Sequence, residues 1–145
     1  KELGADITVN SKDCDAVKVI RELTNGGADV VAETAGSKFT QEQAILIAKK
    51  RGRVVYLGIS HSELHLKEES IESVLRGEIK IQGSWNSYTS PYPGRAWYAT
   101  IDFMSKGEIK FKQMISHKIK VEEVGKYLED MAGRKIYFNK VLVEF

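Results

Sequence analysis

Two glycines follow short apolar runs, at positions where a ligand could approach the backbone. The run 28–32 (ADVVA) leads within four residues to Gly36, and the run 53–57 (RVVYL) is followed directly by Gly58. Because glycine carries no side chain, a bound molecule can pass close to the chain at such positions. The same glycines could instead simply make turns, and the sequence leaves both interpretations open.

Polar and aromatic residues after the next apolar run could face a substrate. Trp85 could form one wall of a ligand site or belong to the core. Asn86 and Ser87 could contact a polyhydroxy compound or cap a turn. Arg95 could bind a phosphate through its fork of donors, or could simply stand where a helix begins after a Pro-Gly pair.

The histidines and the single cysteine offer metal and redox chemistry only weakly. His61 and His65 flank Glu63 and are metal-ligand types, but no further ligands stand nearby, which favours a polar surface stretch. His117 lies in an alternating run and is interpreted as structural. Cys14 is interpreted as passive, and a lone cysteine excludes an internal disulfide and any multi-cysteine zinc site within the chain. We therefore assign no catalytic residue and no metal ligand.

The elements that would position these residues alternate as β-α-β-α-β. Ala16, Val19, Ile20 and Leu23 recur at helical spacing and form one apolar face. The predicted elements are strands over 6–10, 28–32 and 53–57 and helices over 13–24 and 39–50. Short apolar strands that alternate with helices indicate a parallel sheet covered on both faces, and ligands of such sheets bind beyond the carboxyl ends of the strands.

The rest of the chain continues this pattern past one proline-containing loop. Further predicted elements are helices over 70–76, 95–106 and 121–132 and strands over 79–85, 113–120 and 140–145. Strand 79–85 alternates apolar and polar residues, as an edge or interface strand does. Pro91 and Pro93 mark the boundary between two regions. The opening residues look like a helix end at Gly4, so we expect the chain to be a piece of a longer protein.

Composition excludes several classes of protein. The 145 residues carry a net charge of +2 and no low-complexity segment. No apolar run approaches the ~20 residues that a membrane span needs, and nothing resembles a signal peptide, so we expect a cytoplasmic protein. Four lysines could suggest a nucleic-acid surface: Lys110, Lys112, Lys118 and Lys120. Lysines on an exposed strand more often prevent edge pairing, so no nucleic-acid partner is expected.

Five runs, taken in order, resemble the C-terminal portion of the zinc-type medium-chain alcohol and polyol dehydrogenases: GADVVAETAG, GRVVYLGIS, IKIQGSWNSYTSPYPG, ISHKIKVEEV and NKVLVEF. The segment GSWNSYTSPYPGRAW is most similar to the galactitol-1-phosphate branch, and next to the polyol branch that includes sorbitol dehydrogenases. The resemblance implies an α/β fold with a partial Rossmann parallel sheet. Residues 1–87 would be the C-terminal part of the dinucleotide-binding domain, and residues 88–145 the C-terminal segment of the GroES-like catalytic domain.

The same resemblance implies the cofactors and the site. NAD or NADP and zinc would serve the intact enzyme, whose zinc ligands and G-x-G-x-x-G turn would lie upstream. The residues that would border the nicotinamide half of the cofactor are Thr34, Ala35, Gly36, Leu57, Gly58, Ile59, Trp85, Asn86 and Ser87. Asn86 and Arg95 are the substrate candidates. Asn139 stands where the family often has a basic residue for the pyrophosphate.

The implied activity is hydride transfer from a secondary alcohol of a polyol or polyol phosphate to NAD(P). The intact enzyme would be a homodimer or homotetramer, and neither nucleic acid nor a membrane is expected as a partner. The fragment alone would be inactive. Two alternatives stay open at this point. One is a non-catalytic α/β association module, and the other is a zinc-free, NADP-dependent reductase relative.

Overall fold

The computed structural model describes residues 2–85 and 91–145. They fall into two compact units, residues 6–85 in one and residues 2–5 with 91–145 in the other. Each unit contains a parallel sheet. No helix in the described ranges is long and apolar enough to cross a membrane.

The first unit alternates helices and strands. Its elements are α1 (Ala16–Leu23), β1 (Ala28–Glu33), α2 (Lys38–Ile47), β2 (Ala48–Tyr56), α3 (Glu68–Gly77) and β3 (Lys80–Gly83). The strands lie in the order β1-β2-β3, all parallel, with Ala32 opposite Val55 and Val54 opposite Ile81. The predicted α/β class with a parallel sheet is confirmed, because helices provide the crossovers that parallel neighbours require.

The strand predicted over 6–10 is wrong. Within the described part of the chain, these residues pair with no strand of either sheet. An extended run without a neighbour leaves its backbone groups unpaired, so β-branched composition alone cannot make a strand. A turn forms at the end of the run instead. The Asn10 side chain accepts from Lys12 N at 3.2 Å, and the Asn10 carbonyl accepts from Asp13 N at 3.1 Å.

Side-chain caps decide where α1 and α2 begin. Asp15 precedes α1, and its carboxylate accepts a hydrogen bond from Lys18 N at 3.1 Å. Ser37 precedes α2, and its hydroxyl accepts from Phe39 N at 3.2 Å. Each cap satisfies one of the backbone amides that a first helical turn leaves free. The first helix therefore starts at Ala16, the first residue of the predicted apolar face and three residues after the predicted start at position 13.

The helix predicted over 39–50 ends instead at Ile47, because the chain turns there to enter the sheet. Ala48 is already extended, and Arg51 adopts a left-handed conformation with φ of 62°. The turn passes close to Gly27, where a Cβ atom would lie 2.7 Å from the carbonyl oxygen of Ile47. The end of α2 is thus a tertiary feature that the basic residues after it do not encode.

The core of the first unit lies between the sheet and α2. Its buried members are Ala44, Ala48, Val54 and Ile79, with Val31 and Tyr56 packed against them. Ile45 is also buried, at 1% exposure. This packing holds β1 and β2 side by side and so determines where their carboxyl ends meet.

The second unit consists of α4 (Arg95–Ser105), β4 (Ile115–Lys120), α5 (Val124–Ala132) and β5 (Lys140–Glu144). Short 3₁₀ turns, Lys112–Met114 and Val121–Glu123, precede β4 and α5, so both elements start later than predicted. β4 and β5 pair in parallel, with Ile119 opposite Val143. Neither α4 nor α5 contains a buried residue.

Candidate functional site

The carboxyl ends of β1 and β2 lead into two short loops that touch. We call residues 34–36 the first loop and residues 57–59 the second loop. A Cβ atom added to Gly58 would lie 2.7 Å from the Cα atom of Gly36. One added to Gly36 would lie 2.7 Å from the carbonyl carbon of Ile59, and Gly36 also has a positive φ of 69°. Only glycine at both positions permits this approach of backbone to backbone.

This contact gives Gly36 and Gly58 a packing role that was not predicted from the sequence. Sequence reasoning offered ligand approach or a simple turn for each glycine separately. The structure shows that the loops need glycine in order to pack against each other. The contact joins two segments more than twenty positions apart in the sequence, so no local pattern reports it.

Glu33, the last residue of β1, holds both loops and was missed by sequence reasoning. Its Oε1 atom accepts hydrogen bonds from Ala35 N and Gly36 N, both at 2.9 Å. Its backbone carbonyl accepts from Leu57 N at 2.8 Å and Gly58 N at 3.0 Å. The available signal was a charged residue at the end of an apolar strand, because a buried carboxylate requires hydrogen-bond donors.

The same carboxylate also reaches the first turn of α2. The Thr40 hydroxyl lies 2.8 Å from Glu33 Oε1 and 3.0 Å from the Ser37 carbonyl, so its single proton is shared between these two acceptors, of which the carboxylate is the nearer. Nearby, the hydroxyl of Tyr56 donates to the Gln41 carbonyl at 2.9 Å, and burial, followed by the charge of Glu33, raises the pKa of this phenol above its usual range. Tyr56 therefore stays protonated at neutral pH and acts here as a hydrogen-bond donor.

The loop amides are occupied from within the protein, which limits what the loops can bind. Four amides, those of Ala35, Gly36, Leu57 and Gly58, donate to Glu33. An anion site at a strand end or helix start uses free amides of this kind. These four are therefore not available to a phosphate group in this conformation.

The side chains at the loops are suited to a flat, weakly polar group. Leu57 is 46% exposed and Ile59 is 56% exposed, so both present apolar surface at the edge of the sheet. A cavity of about 220 Å³ lies beside the first loop, with Glu33, Thr34 and Thr40 in its wall. Apolar walls with a few convergent polar groups are what a ring-containing ligand requires.

Trp85 lies at the same edge of the sheet as the two loops. It follows β3, where Ser84 N donates to the carbonyl of Tyr56 at 2.9 Å. Its side chain is 65% exposed and takes no part in the core. Asn86 and Ser87 lie outside the described residues. Arg95 is the first residue of α4 in the second unit and is exposed.

The histidines do not belong to a metal site in the part of the chain that the structure describes. Residues 2–85 and 91–145 contain no group of three or more His, Cys, Asp or Glu side chains placed to bind a metal ion. His65 Nε2 lies 3.2 Å from Glu63 Oε2, and both side chains are exposed. His117 packs edge-to-face against Tyr127 with ring centroids 5.4 Å apart, and its Nδ1 lies 3.0 Å from Ser116 Oγ. These contacts suit a structural histidine.

The sequence matches the family described as zinc-binding dehydrogenase over residues 1–106. Among curated relatives, galactitol 1-phosphate 5-dehydrogenase of Escherichia coli K12 is 32% identical over 146 aligned positions. D-arabitol-phosphate dehydrogenase of Enterococcus avium is 29% identical over the same length. Both alignments cover 99% of this chain but only 41% and 39% of the relatives, so the chain spans about two fifths of their length.

Solved structures agree with these relatives. The crystal structure of galactitol-1-phosphate dehydrogenase from Escherichia coli has a TM-score of 0.85 and 29% identity, over 97% of this chain and 40% of that one. A Sinorhizobium meliloti protein solved with NADP bound has a TM-score of 0.81 and 30% identity, over 98% of this chain and 40% of that one. With a family match over well more than half of its residues, the chain belongs to the zinc-binding dehydrogenases.

Proposed function

We propose that the protein containing this chain oxidises a secondary alcohol of a polyol or polyol phosphate and passes the hydride to a nicotinamide cofactor. The observation that carries the proposal is the pair of touching loops at the carboxyl ends of β1 and β2, in a member of the zinc-binding dehydrogenases. Ligands of open parallel sheets bind at that end of the strands. Membership of the zinc-binding dehydrogenases supports a nicotinamide cofactor as that ligand.

The loops suit the nicotinamide end of the cofactor better than its phosphates. When bound, the cofactor supplies the hydride acceptor. Leu57 and Ile59 offer apolar surface against which a ring can lie shielded from water, and the amides engaged by Glu33 offer no phosphate cradle. The proposed contacts are Thr34, Ala35, Gly36, Leu57, Gly58, Ile59 and Trp85, with Asn86 and Ser87 outside the described residues.

Zinc is implied by the family, but the described residues of this chain include no cluster that fits it. We therefore derive no step through the metal from this chain. Its residues are assigned to the cofactor and to the border of the substrate site.

The domain assignment follows from the same proposal. Residues 1–87 would belong to the dinucleotide-binding domain and residues 88–145 to the catalytic domain. β3 is one of the two outer strands of the described three-stranded sheet, and all its residues are exposed. An outer strand can pair with another strand, which supports a homodimer or homotetramer joined at this edge.

Arg95 is the substrate residue that we propose for a phosphorylated polyol. It is exposed at the start of α4, where a guanidinium and the positive end of a helix both favour an anion. The names of two curated relatives include a sugar-alcohol phosphate, which supports this choice. Asn86 is the second substrate candidate.

The test is formation of NADH from NAD, or of NADPH from NADP, by the protein expressed from its complete reading frame. Galactitol 1-phosphate is compared with unphosphorylated polyols, before and after treatment with a chelator. Turnover that is faster with the phosphorylated substrate and that stops on chelation would support the zinc polyol-phosphate assignment. Turnover of free polyols alone would reject the phosphate. Absence of turnover with every polyol would reject the polyol proposal.

NADP is a second candidate cofactor, because the Sinorhizobium meliloti relative carries it. Parallel titration with NADH and NADPH, followed by cofactor fluorescence, distinguishes the two. A dissociation constant at least tenfold lower for one of them assigns the cofactor. Binding of neither would favour a non-catalytic association module.

A further inference from the structure

We infer that Glu33 is a positioning residue, whose side chain sets the place of the first loop and thereby the backbone surface that the cofactor meets. The inference rests on the proposed function, since it concerns the same site. Glu33 acts through the loops and not by touching a reacting atom. Its buried carboxylate and its backbone carbonyl divide the two loops between them.

The division of labour can be read from the hydrogen bonds. The side chain of Glu33 holds Ala35 and Gly36 of the first loop, while its main-chain oxygen holds Leu57 and Gly58 of the second loop. Substitution of Glu33 by alanine removes the side-chain bonds to the first loop and leaves the main-chain acceptor of the second loop in place. The role of the side chain can therefore be tested without releasing the second loop.

The bonds concentrate on one carboxylate oxygen. Oε1 accepts from three donors, namely Ala35 N, Gly36 N and the Thr40 hydroxyl. Oε2 is buried and has no hydrogen-bond partner among residues 2–85 and 91–145. Glutamine can offer the same single accepting oxygen, and its amide nitrogen would take the place of an atom that makes no bond. Glu33→Gln is thus the more conservative variant for positioning, although it removes the charge that strengthens the bonds and buries an amide nitrogen where Oε2 has no partner among the described residues.

The tight glycine contact makes the position of the first loop matter. Gly36 and Gly58 meet backbone to backbone with no room for a methyl group. Without its hydrogen bonds to Glu33 Oε1, the first loop can shift relative to the second loop. A displacement of about 1 Å at a site that orients reactants is enough to lower a rate roughly a hundredfold.

The experiment compares three variants of the protein expressed from its complete reading frame: Glu33→Ala, Glu33→Gln and Thr40→Val. Glu63→Ala serves as the control, because Glu63 is exposed and its carboxylate pairs with His65, which is equally exposed. Three quantities are measured: the dissociation constant for NADH or NADPH, whichever the wild type binds more tightly, kcat, and hydrogen exchange of the Ala35 and Gly36 amides.

Glu33→Ala should speed exchange of the Ala35 and Gly36 amides while Leu57 and Gly58 keep their protection. Its dissociation constant for the cofactor should rise roughly ten- to a hundredfold, as losses of supporting hydrogen bonds around bound groups do. Glu33→Gln should stay within about threefold of the wild type, since it keeps the accepting oxygen. Thr40→Val, which removes one donor of three, should fall between them.

Two results would overturn the inference. The first is unchanged cofactor affinity in Glu33→Ala although its Ala35 and Gly36 amides exchange faster than in the wild type. The second is a loss of cofactor affinity in Glu33→Gln as large as that in Glu33→Ala while those amides stay protected. The loss of affinity would then be due to the charge of Glu33 and not to the position of the first loop. If Glu33→Ala does not fold, the order of Glu33→Gln and Thr40→Val decides. A wild type that binds neither NADH nor NADPH would reject the proposed function, whereas normal wild-type binding with unaffected variants would reject only the role of Glu33.

Discussion

The two units bury their apolar residues to very different extents. In the first unit, Ile45 and Val54 are 1% and 0% exposed between α2 and the sheet. In the second unit, α4 and α5 contain no buried residue, and Ile101 of α4 is 63% exposed. Ile119 of β4 is buried at 4% exposure, so burial in the second unit lies in its sheet, and its helices add none. In the first unit, by contrast, α2 packs its buried residues against the sheet. The two loops of the candidate site therefore stand on the unit whose helices are packed against its strands.

This comparison predicts that glycine-to-alanine changes have opposite signs in the two units. Gly58→Ala places a methyl group against the backbone of Gly36 and should lower the free energy of unfolding by roughly 3 kcal/mol or more. Gly125→Ala in α5 meets no atom within 4 Å and should raise it by about 0.5–1 kcal/mol through helix propensity. Urea unfolding followed by circular dichroism measures both. Equal, small effects would show that the loops do not touch as described.

Apolar truncation should separate the units in the same direction. Ile45→Ala removes a side chain that is 1% exposed and should destabilise this chain by roughly 2–5 kcal/mol. Ile101→Ala removes a side chain that is 63% exposed and should change stability by only about 0.5 kcal/mol. Both are read from urea unfolding curves. A loss at Ile101 that equals the loss at Ile45 would mean that α4 is covered and that the contrast between the units is false.

A carboxylate in the first unit, that of Glu42, should make the stability of this unit depend on pH. The carboxylate of Glu42 in α2 accepts from Lys67 N at 3.1 Å and from the Ser70 hydroxyl at 2.8 Å, and so caps α3. The backbone bond first, and the Ser70 bond next, lower the pKa of Glu42 below its usual 4.5. A lowered pKa stabilises the folded state above the unfolded-state value, and this contribution is lost as the pH falls through the folded-state pKa.

The expected result is a Tm difference between the wild type and Glu42→Gln that is constant above pH 4.5 and shrinks below it. Differential scanning calorimetry from pH 7 to pH 3 would measure it. Glu63→Gln is the matched control, because its partner His65 is as exposed as Glu63 itself. A difference that persists unchanged at pH 3 would show that the charge of Glu42 is not what caps α3.

The smallest effect is expected at the surface of the second unit. Lys118 of β4 lies 2.8 Å from Glu144 of β5, and the hydrogen bond to this carboxylate raises the pKa of the lysine. The raised pKa adds stability below the usual lysine value, and that contribution disappears as the pH rises through the folded-state pKa. Both side chains are exposed, so Lys118→Met should shift Tm only slightly at pH 7 and not at all in high salt. A large, salt-independent shift would contradict this.

How much of the site the sequence could predict depends on the distance over which each feature is encoded. The carboxyl ends of β1 and β2 were predicted to within a residue, because continuous apolar runs followed by polar residues are local patterns. The start of β2 was not, since the strand begins at Ala48 and was predicted to begin at Arg53. The convergence of four amides on Glu33 could not be predicted. It joins β1 to residues beyond β2, and periodicity carries no information about which loop a strand end will meet.

Local patterns were enough to predict the α/β alternation and the apolar face of α1, because each depends on residues within a few positions. The caps at Asp15 and Ser37 are local as well, but they were not predicted, and the helices begin at Ala16 and Lys38 instead of at 13 and 39. That residues 6–10 form no strand depends on the rest of the fold, since a strand exists only where a neighbour pairs with it. Tertiary packing likewise decided that α2 ends at Ile47. It also brought Gly36 and Gly58 together, because backbone contact between distant segments depends on how β1 and β2 align.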